Sequence, residues 1–151
     1  MTRPSLLVLA LGLLTLAAPM SAQRPMKVYI SVDLEGISGV NSDNQTSAAG
    51  AEYGRARKLM VDDANAAIRG AFDGGATDVV VNDSHGSQRN LLPEDIDPRV
   101  KLISHSFKRY GMMEGLDSSF HAIIFVGYHA KAGSPRGVFA HTGSGVLADL
   151  Q

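Results

Sequence analysis

Four side chains suited to holding a metal ion fall in three short motifs of this 151-residue sequence. Asp33 and Glu35 lie in Val32-Asp33-Leu34-Glu35-Gly36, His85 ends Asn82-Asp83-Ser84-His85, and His129 ends Gly127-Tyr128-His129. Two carboxylates and two imidazoles, with no Lys or Arg among them, make a strongly negative pocket if they converge. A divalent cation is the simplest species that stabilises such a pocket. Imidazole with carboxylate and without thiolate suits Zn, Mn or Fe. The chain has no cysteine, so any metal site must be built from His, Asp and Glu, and a disulfide scaffold, a zinc ribbon and a thiol nucleophile are excluded. His141 follows the turn Gly133-Ser134-Pro135-Arg136-Gly137 and is flanked by Ala140, Thr142 and Gly143, small residues that leave its ring free to enter a cleft. Singly, each of these residues has an ordinary structural reading, such as a loop carboxylate, an Asp-Ser turn or a hydrogen-bonded histidine. Their joint placement, each directly after an apolar run, is what argues for a site.

The runs that must position them are readable. Met26 to Val32 alternates Val28, Ile30 and Val32 with Lys27, Tyr29 and Ser31, the pattern of a strand. Glu52 to Asp73 repeats Tyr53, Ala56, Met60, Ala64, Ala67, Ile68 and Ala71 at helical spacing and meets a stop at Gly74-Gly75. Val79 to Val81, Val100 to Ile103 and Ala122 to Val126 are three further strands. The last is apolar throughout, and burial on both faces is expected of it. Ile37 to Gly50 reads as a polar loop. Strand, helix, strand with short joins implies a right-handed crossover and a parallel sheet. The fold class is therefore α/β: a Rossmann-like, open, mainly parallel sheet with flanking helices. In such sheets ligands sit beyond the carboxyl ends of the strands, where Asp33, Glu35, His85 and His129 emerge. His105 follows the third strand and is a weaker neighbour of that edge; His121 begins the last strand, at the far end.

Composition narrows the partners. Fourteen basic and fifteen acidic side chains give a net charge of -1, too balanced for nucleic acid as the main partner. Hydrophobic residues at 44% and charged ones at 19% are globular values. Residues 1–22 read as a signal peptide: Arg3, an apolar run from Leu6 to Ala18, then Pro19 to Ala22 with small residues at the exit. The run is shorter than the roughly 20 apolar residues of a spanning helix. Cleavage after Ala22, export to the periplasm or beyond, and no lasting membrane anchor are expected, leaving residues 26–151 as an α/β metal-binding domain.

The segments Val28 to Gly39, Val81 to His85, Met113-Glu114-Gly115-Leu116-Asp117 and Gly127-Tyr128-His129-Ala130, in that order, resemble the zinc-dependent D-aminopeptidase family, binuclear metallopeptidases often encoded beside dipeptide transporters. The resemblance implies that Asp33 bridges two zinc ions, that Glu35 and His129 complete one, and that His85 belongs to the other. It places the family's catalytic histidine on His141, and implies hydrolysis of short peptides with an N-terminal D-amino acid by a homo-oligomer. No cofactor other than zinc is implied. The family draws a last metal-binding Glu from a segment beginning near Leu150-Gln151, and no Glu follows Glu114 here. The resemblance thus leaves the second zinc site short of a ligand and the C-terminal domain absent, and a secreted fragment without turnover is the alternative. A metal-dependent phosphohydrolase ranks below both, because Arg89, Lys131 and Arg136 alone could serve as a phosphate clamp.

Overall fold

A computed structural model describes residues 24–142. The leader expected over residues 1–22 and the stretch 143–151 lie outside the described residues. Among those described, no helix is long and apolar enough to cross a membrane.

β1 (Lys27–Val32) turns Val28, Ile30 and Val32 to one face and Tyr29 and Ser31 to the other, as period-two alternation requires. The first face packs against α2 (Tyr53–Asp73), whose buried stripe is Ala56, Met60, Val61, Ala64, Ile68 and Ala71. Each large aliphatic side chain in this layer contributes about 1.5–3 kcal/mol on burial. The helix stops at Gly74, and Gly75 takes a left-handed φ of 97° that turns the chain into β2 (Asp78–Asp83). β3 (Lys101–Ile103) and β4 (Ala122–Val126) complete a four-stranded sheet in the order β3-β2-β1-β4, parallel at every pairing. The open parallel α/β architecture is the one the sequence implies. Val32 pairs with Asp83 on one side and Val126 on the other, so three strands end level at their carboxyl edge.

The second face of β1 and β2 is polar but closed. Tyr29 Oη, Ser31 Oγ and Asn82 Nδ2 donate to the carbonyls of Glu114, Met112 and Met112, each at 2.7 Å. These bonds lay a segment with one 3₁₀ turn (Gly111–Met113) across the sheet, and Phe120 meets the Tyr29 ring edge-on at 5.3 Å.

Two expectations need correction. β4 is not buried on both faces: Ile124 and Val126 join the core, while Ile123 and Phe125 are 45% and 54% exposed. It is an edge strand among the described residues, and uniform apolarity reports hydrophobicity without saying which faces are covered. The polar loop Ile37 to Gly50 contains a short helix, α1 (Asp43–Thr46), and buries Ile37, Val40 and Gln45. Its order comes from the Gln45 side chain, which no hydrophobic period reveals.

Candidate metal centre

Backbone pairing carries past the strand ends and brings three loops together. Asp33 N–H donates to Val126 O at 2.8 Å, Ser84 N–H to Val32 O at 2.7 Å, and Gly36 N–H to Gly127 O at 2.7 Å. Glycine is required on both sides of the last of these crossings. A Cβ on Gly36 would overlap the Tyr128 carbonyl, and one on Gly127, already at φ 68°, would overlap the Asp33 carbonyl. The close approach of these two backbones is what sets Asp33 and Glu35 beside His129.

The four expected ligands converge. His85 Nδ1 lies 3.0 Å from Glu35 Oε2 and 3.4 Å from Asp33 Oδ1, while His129 Nε2 lies 3.5 Å from Asp33 Oδ2. Asp33 therefore offers one oxygen to each imidazole. Asp33, Glu35 and His129 each present a ligand atom, all within 4.8 Å of one another. Donors around a tetrahedral zinc at about 2.0–2.2 Å are separated by roughly 3.3–3.6 Å, the spacing seen between each imidazole and Asp33. His141 reaches the same cluster, with Nε2 3.9 Å from Glu35 Oε1.

Each imidazole is oriented by its other nitrogen. His85 Nε2 donates to the Thr46 carbonyl at 2.9 Å, His129 Nδ1 to Ala130 O at 2.9 Å, and His141 Nδ1 to Phe139 O at 2.7 Å. An N–H committed to a backbone carbonyl leaves the opposite ring nitrogen to act as a lone-pair donor in the cluster. Histidines that ligate metals commonly donate their other ring N–H in the same way.

The charges point the same way. Asp33 and Glu35 are buried, and their ion-pair partners are the imidazoles of His85, His129 and His141. Burial pushes the Asp33 carboxyl up, and neighbouring Glu35 adds to the shift. Burial also opposes the Glu35 charge, but hydrogen bonds from His85 and Asp33 outweigh it and hold Glu35 at about 2. On His85 burial again works against charge, yet the bonds to Asp33, Glu35 and the Thr46 carbonyl push it up to about 10. Two buried carboxylates that face imidazoles make a pocket that a bound cation would stabilise. The donor set fits zinc.

Elsewhere the outcome differs. His105 bonds to the neighbouring Ser106 carbonyl, at 2.7 Å, and among the described residues it is not brought to the cluster. His121 is exposed and accepts from Lys27 N–H at the amino end of β1, as expected of a surface residue. Asp83 is fully buried and accepts from Asn90 N, Asn90 Nδ2 and Leu91 N, so it anchors a loop. Sequence reasoning missed Thr46, whose contribution is a backbone carbonyl with no residue-type signal. It also missed Gln45, Asn90 and Lys108. Lys108 Nζ lies at this edge of the sheet and donates to Asn82 Oδ1 at 2.8 Å and Asp83 O at 2.6 Å; burial depresses its pKa.

A family model described as D-aminopeptidase matches residues 26–150. A D-aminopeptidase of Bacillus subtilis (strain 168) is 45% identical over 117 residues, which make up 78% of this chain and 42% of that protein. The solved structure of the Zn-dependent D-aminopeptidase DppA from Bacillus subtilis, a self-compartmentalizing protease, matches with a TM-score of 0.79 and 43% identity. That match covers 82% of this chain and 44% of the other. The chain thus spans less than half the length of these relatives.

Proposed function

The chain belongs to the D-aminopeptidase family, and on that premise we propose that Asp33, Glu35, His85 and His129 hold zinc in a peptidase site for short peptides with an N-terminal D-residue. The observation that carries the reading is the Asp33 carboxylate, with Oδ1 facing His85 and Oδ2 facing His129. One carboxylate shared in this way suits two neighbouring ions: Glu35 and His129 would complete one, and His85 would serve the other. Zinc bound there supplies a Lewis acid for the scissile carbonyl and water ionised near neutral pH.

The chain's own residues account for the rest. Asp33 and Glu35 neutralise the cations and, being buried, keep bulk water from competing for them. His141 stands at the mouth, its side chain 48% exposed and its Nε2 toward Glu35, within reach of a peptide that enters from solvent. With Nδ1 fixed on Phe139 O, Nε2 is the atom that takes or returns a proton, or steadies the tetrahedral oxyanion. DppA is a Zn-dependent D-aminopeptidase, and that likeness favours peptide over phosphate-ester chemistry. We extend self-association to the whole protein from the same relative, and export after cleavage at Ala22 from the apolar leader, which N-terminal sequencing of the secreted form would verify.

The test is zinc content by mass spectrometry together with release of D-Ala from a D-Ala dipeptide by the full chain, with and without chelator. Bound zinc with chelator-sensitive release supports the reading. Bound zinc with no release would leave a metal-binding module without turnover and overturn the peptidase assignment.

A further inference from the structure

We propose that two buried amides outside the ligand set, Gln45 and Asn90, are positioning residues that fix His85 in the metal centre; the inference rests on the zinc reading above. His85 is carried by a loop, not a strand. The sheet ladder ends at Ser84 N–H on Val32 O, and beyond it something else must hold the imidazole between Asp33 and Glu35. Asn90 holds its main chain. Its Nδ2 donates to His85 O at 2.5 Å and to Asp83 Oδ1 at 2.8 Å, its N–H donates to Asp83 Oδ2, and its Oδ1 accepts from Tyr53 Oη on α2. These bonds close the loop from Asp83 to Asn90 into a ring stapled to the helix.

Gln45 holds the ring nitrogen indirectly. Its Oε1 accepts from Asn41 N–H at 2.7 Å and Ser42 N–H at 3.0 Å, and its Nε2 donates to Gly39 O at 3.0 Å. That knot shapes the turn whose Thr46 carbonyl meets His85 Nε2. Gln45 and Asn90 are 3% and 1% exposed, and each uses both the oxygen and the nitrogen of its amide. Among the described residues, neither is a hydrogen-bond partner of the Asp33, Glu35 or His129 side chain. One sets where the imidazole starts, and the other sets which nitrogen carries the proton. Both effects act on how well Nδ1 is presented to a cation.

The experiment measures zinc affinity of the full chain by competition with a chromophoric chelator, the visible absorption of the Co²⁺-substituted form, and the metal-free unfolding midpoint. The variants are Gln45→Ala, Asn90→Ala, Tyr53→Phe and His85→Ala. Gln45→Ala and Asn90→Ala are expected to weaken zinc by about ten- to a hundredfold and to alter the Co²⁺ spectrum. Tyr53→Phe, which removes a partner of Asn90 but neither hold on His85, keeps an affinity close to wild type. If an alanine variant does not fold, Gln45→Met and Asn90→Ser take its place. Lower unfolding midpoints with wild-type zinc affinity and an unchanged Co²⁺ spectrum would show purely structural amides and overturn the proposal. Equal zinc affinity in wild type and His85→Ala would instead overturn the centre itself, and this role with it.

Discussion

The imidazoles of His129 and His141 are stacked, with ring centroids 3.7 Å apart and planes 14° from parallel. Their Nδ1 atoms bond to the carbonyls of Ala130 and Phe139, and their Nε2 atoms face Asp33 and Glu35. The partly buried ring of His129 is thus the wall that orients the half-exposed one of His141. His141 needs no pocket of its own, because the ring of His129, proposed as a zinc ligand, provides its supporting surface. Loss of His129 would disturb both sites, whereas loss of His141 spares the four ligands.

That asymmetry separates binding from turnover. Asp33→Ala removes the carboxylate that faces two imidazoles and should abolish tight zinc binding, with activity falling alongside it. His141→Ala should retain zinc and lose roughly 10²–10⁴ in kcat, the usual contribution of a positioned proton-transfer group. Zinc content by mass spectrometry beside dipeptide hydrolysis decides the matter. Equal zinc occupancy in the two variants would sink the site as described.

Gly127 supplies a test of how the loops meet. Any side chain there must accept φ 68° and displace the Asp33 carbonyl, so relief in one loop is displacement in the other. Gly127→Ala should cost on the order of 2 kcal/mol in denaturant unfolding. It should also weaken zinc binding if Asp33, whose carbonyl is shifted, holds zinc as proposed. A variant that loses stability yet binds zinc as wild type does would show that this crossing is structural only.

Much of this was legible in the sequence because the pattern and the packing are the same thing. The alternation of Val28, Ile30 and Val32 is the face that meets α2, and the Ala56-Met60-Ala64-Ile68 stripe is the helix surface that meets it. The site followed because parallel strands must end at a common edge, which placed Asp33, Glu35, His85 and His129 together without any knowledge of distances. What escaped was whatever depends on backbone atoms or on amides. The Thr46 carbonyl, the Gln45 knot and the Asn90 ring hold His85 through bonds that residue types do not announce. The exposure of Ile123 and Phe125 escaped for another reason: composition gives a strand's apolarity, and only neighbouring elements decide its burial.

Proton linkage gives the metal-free chain a distinctive pH profile. His85 sits at about 10 when folded, against an ordinary 6.5, so the folded state holds that proton more tightly. Its stabilising contribution is complete below pH 6.5 and is lost as the pH rises through 10. Glu35, held at about 2 against an ordinary 4.5, contributes above pH 4.5 and loses that contribution as the pH falls through 2. With chelator present, the unfolding midpoint should therefore decline between pH 6.5 and 10, and His85→Gln should lack most of that decline. Zinc requires the deprotonated imidazole, so added zinc should stabilise the wild type more strongly as the pH climbs through the same interval. A metal-free midpoint that stays level across this range, or one that declines equally in His85→Gln, would mean that His85 is not gripped by Asp33 and Glu35 in solution.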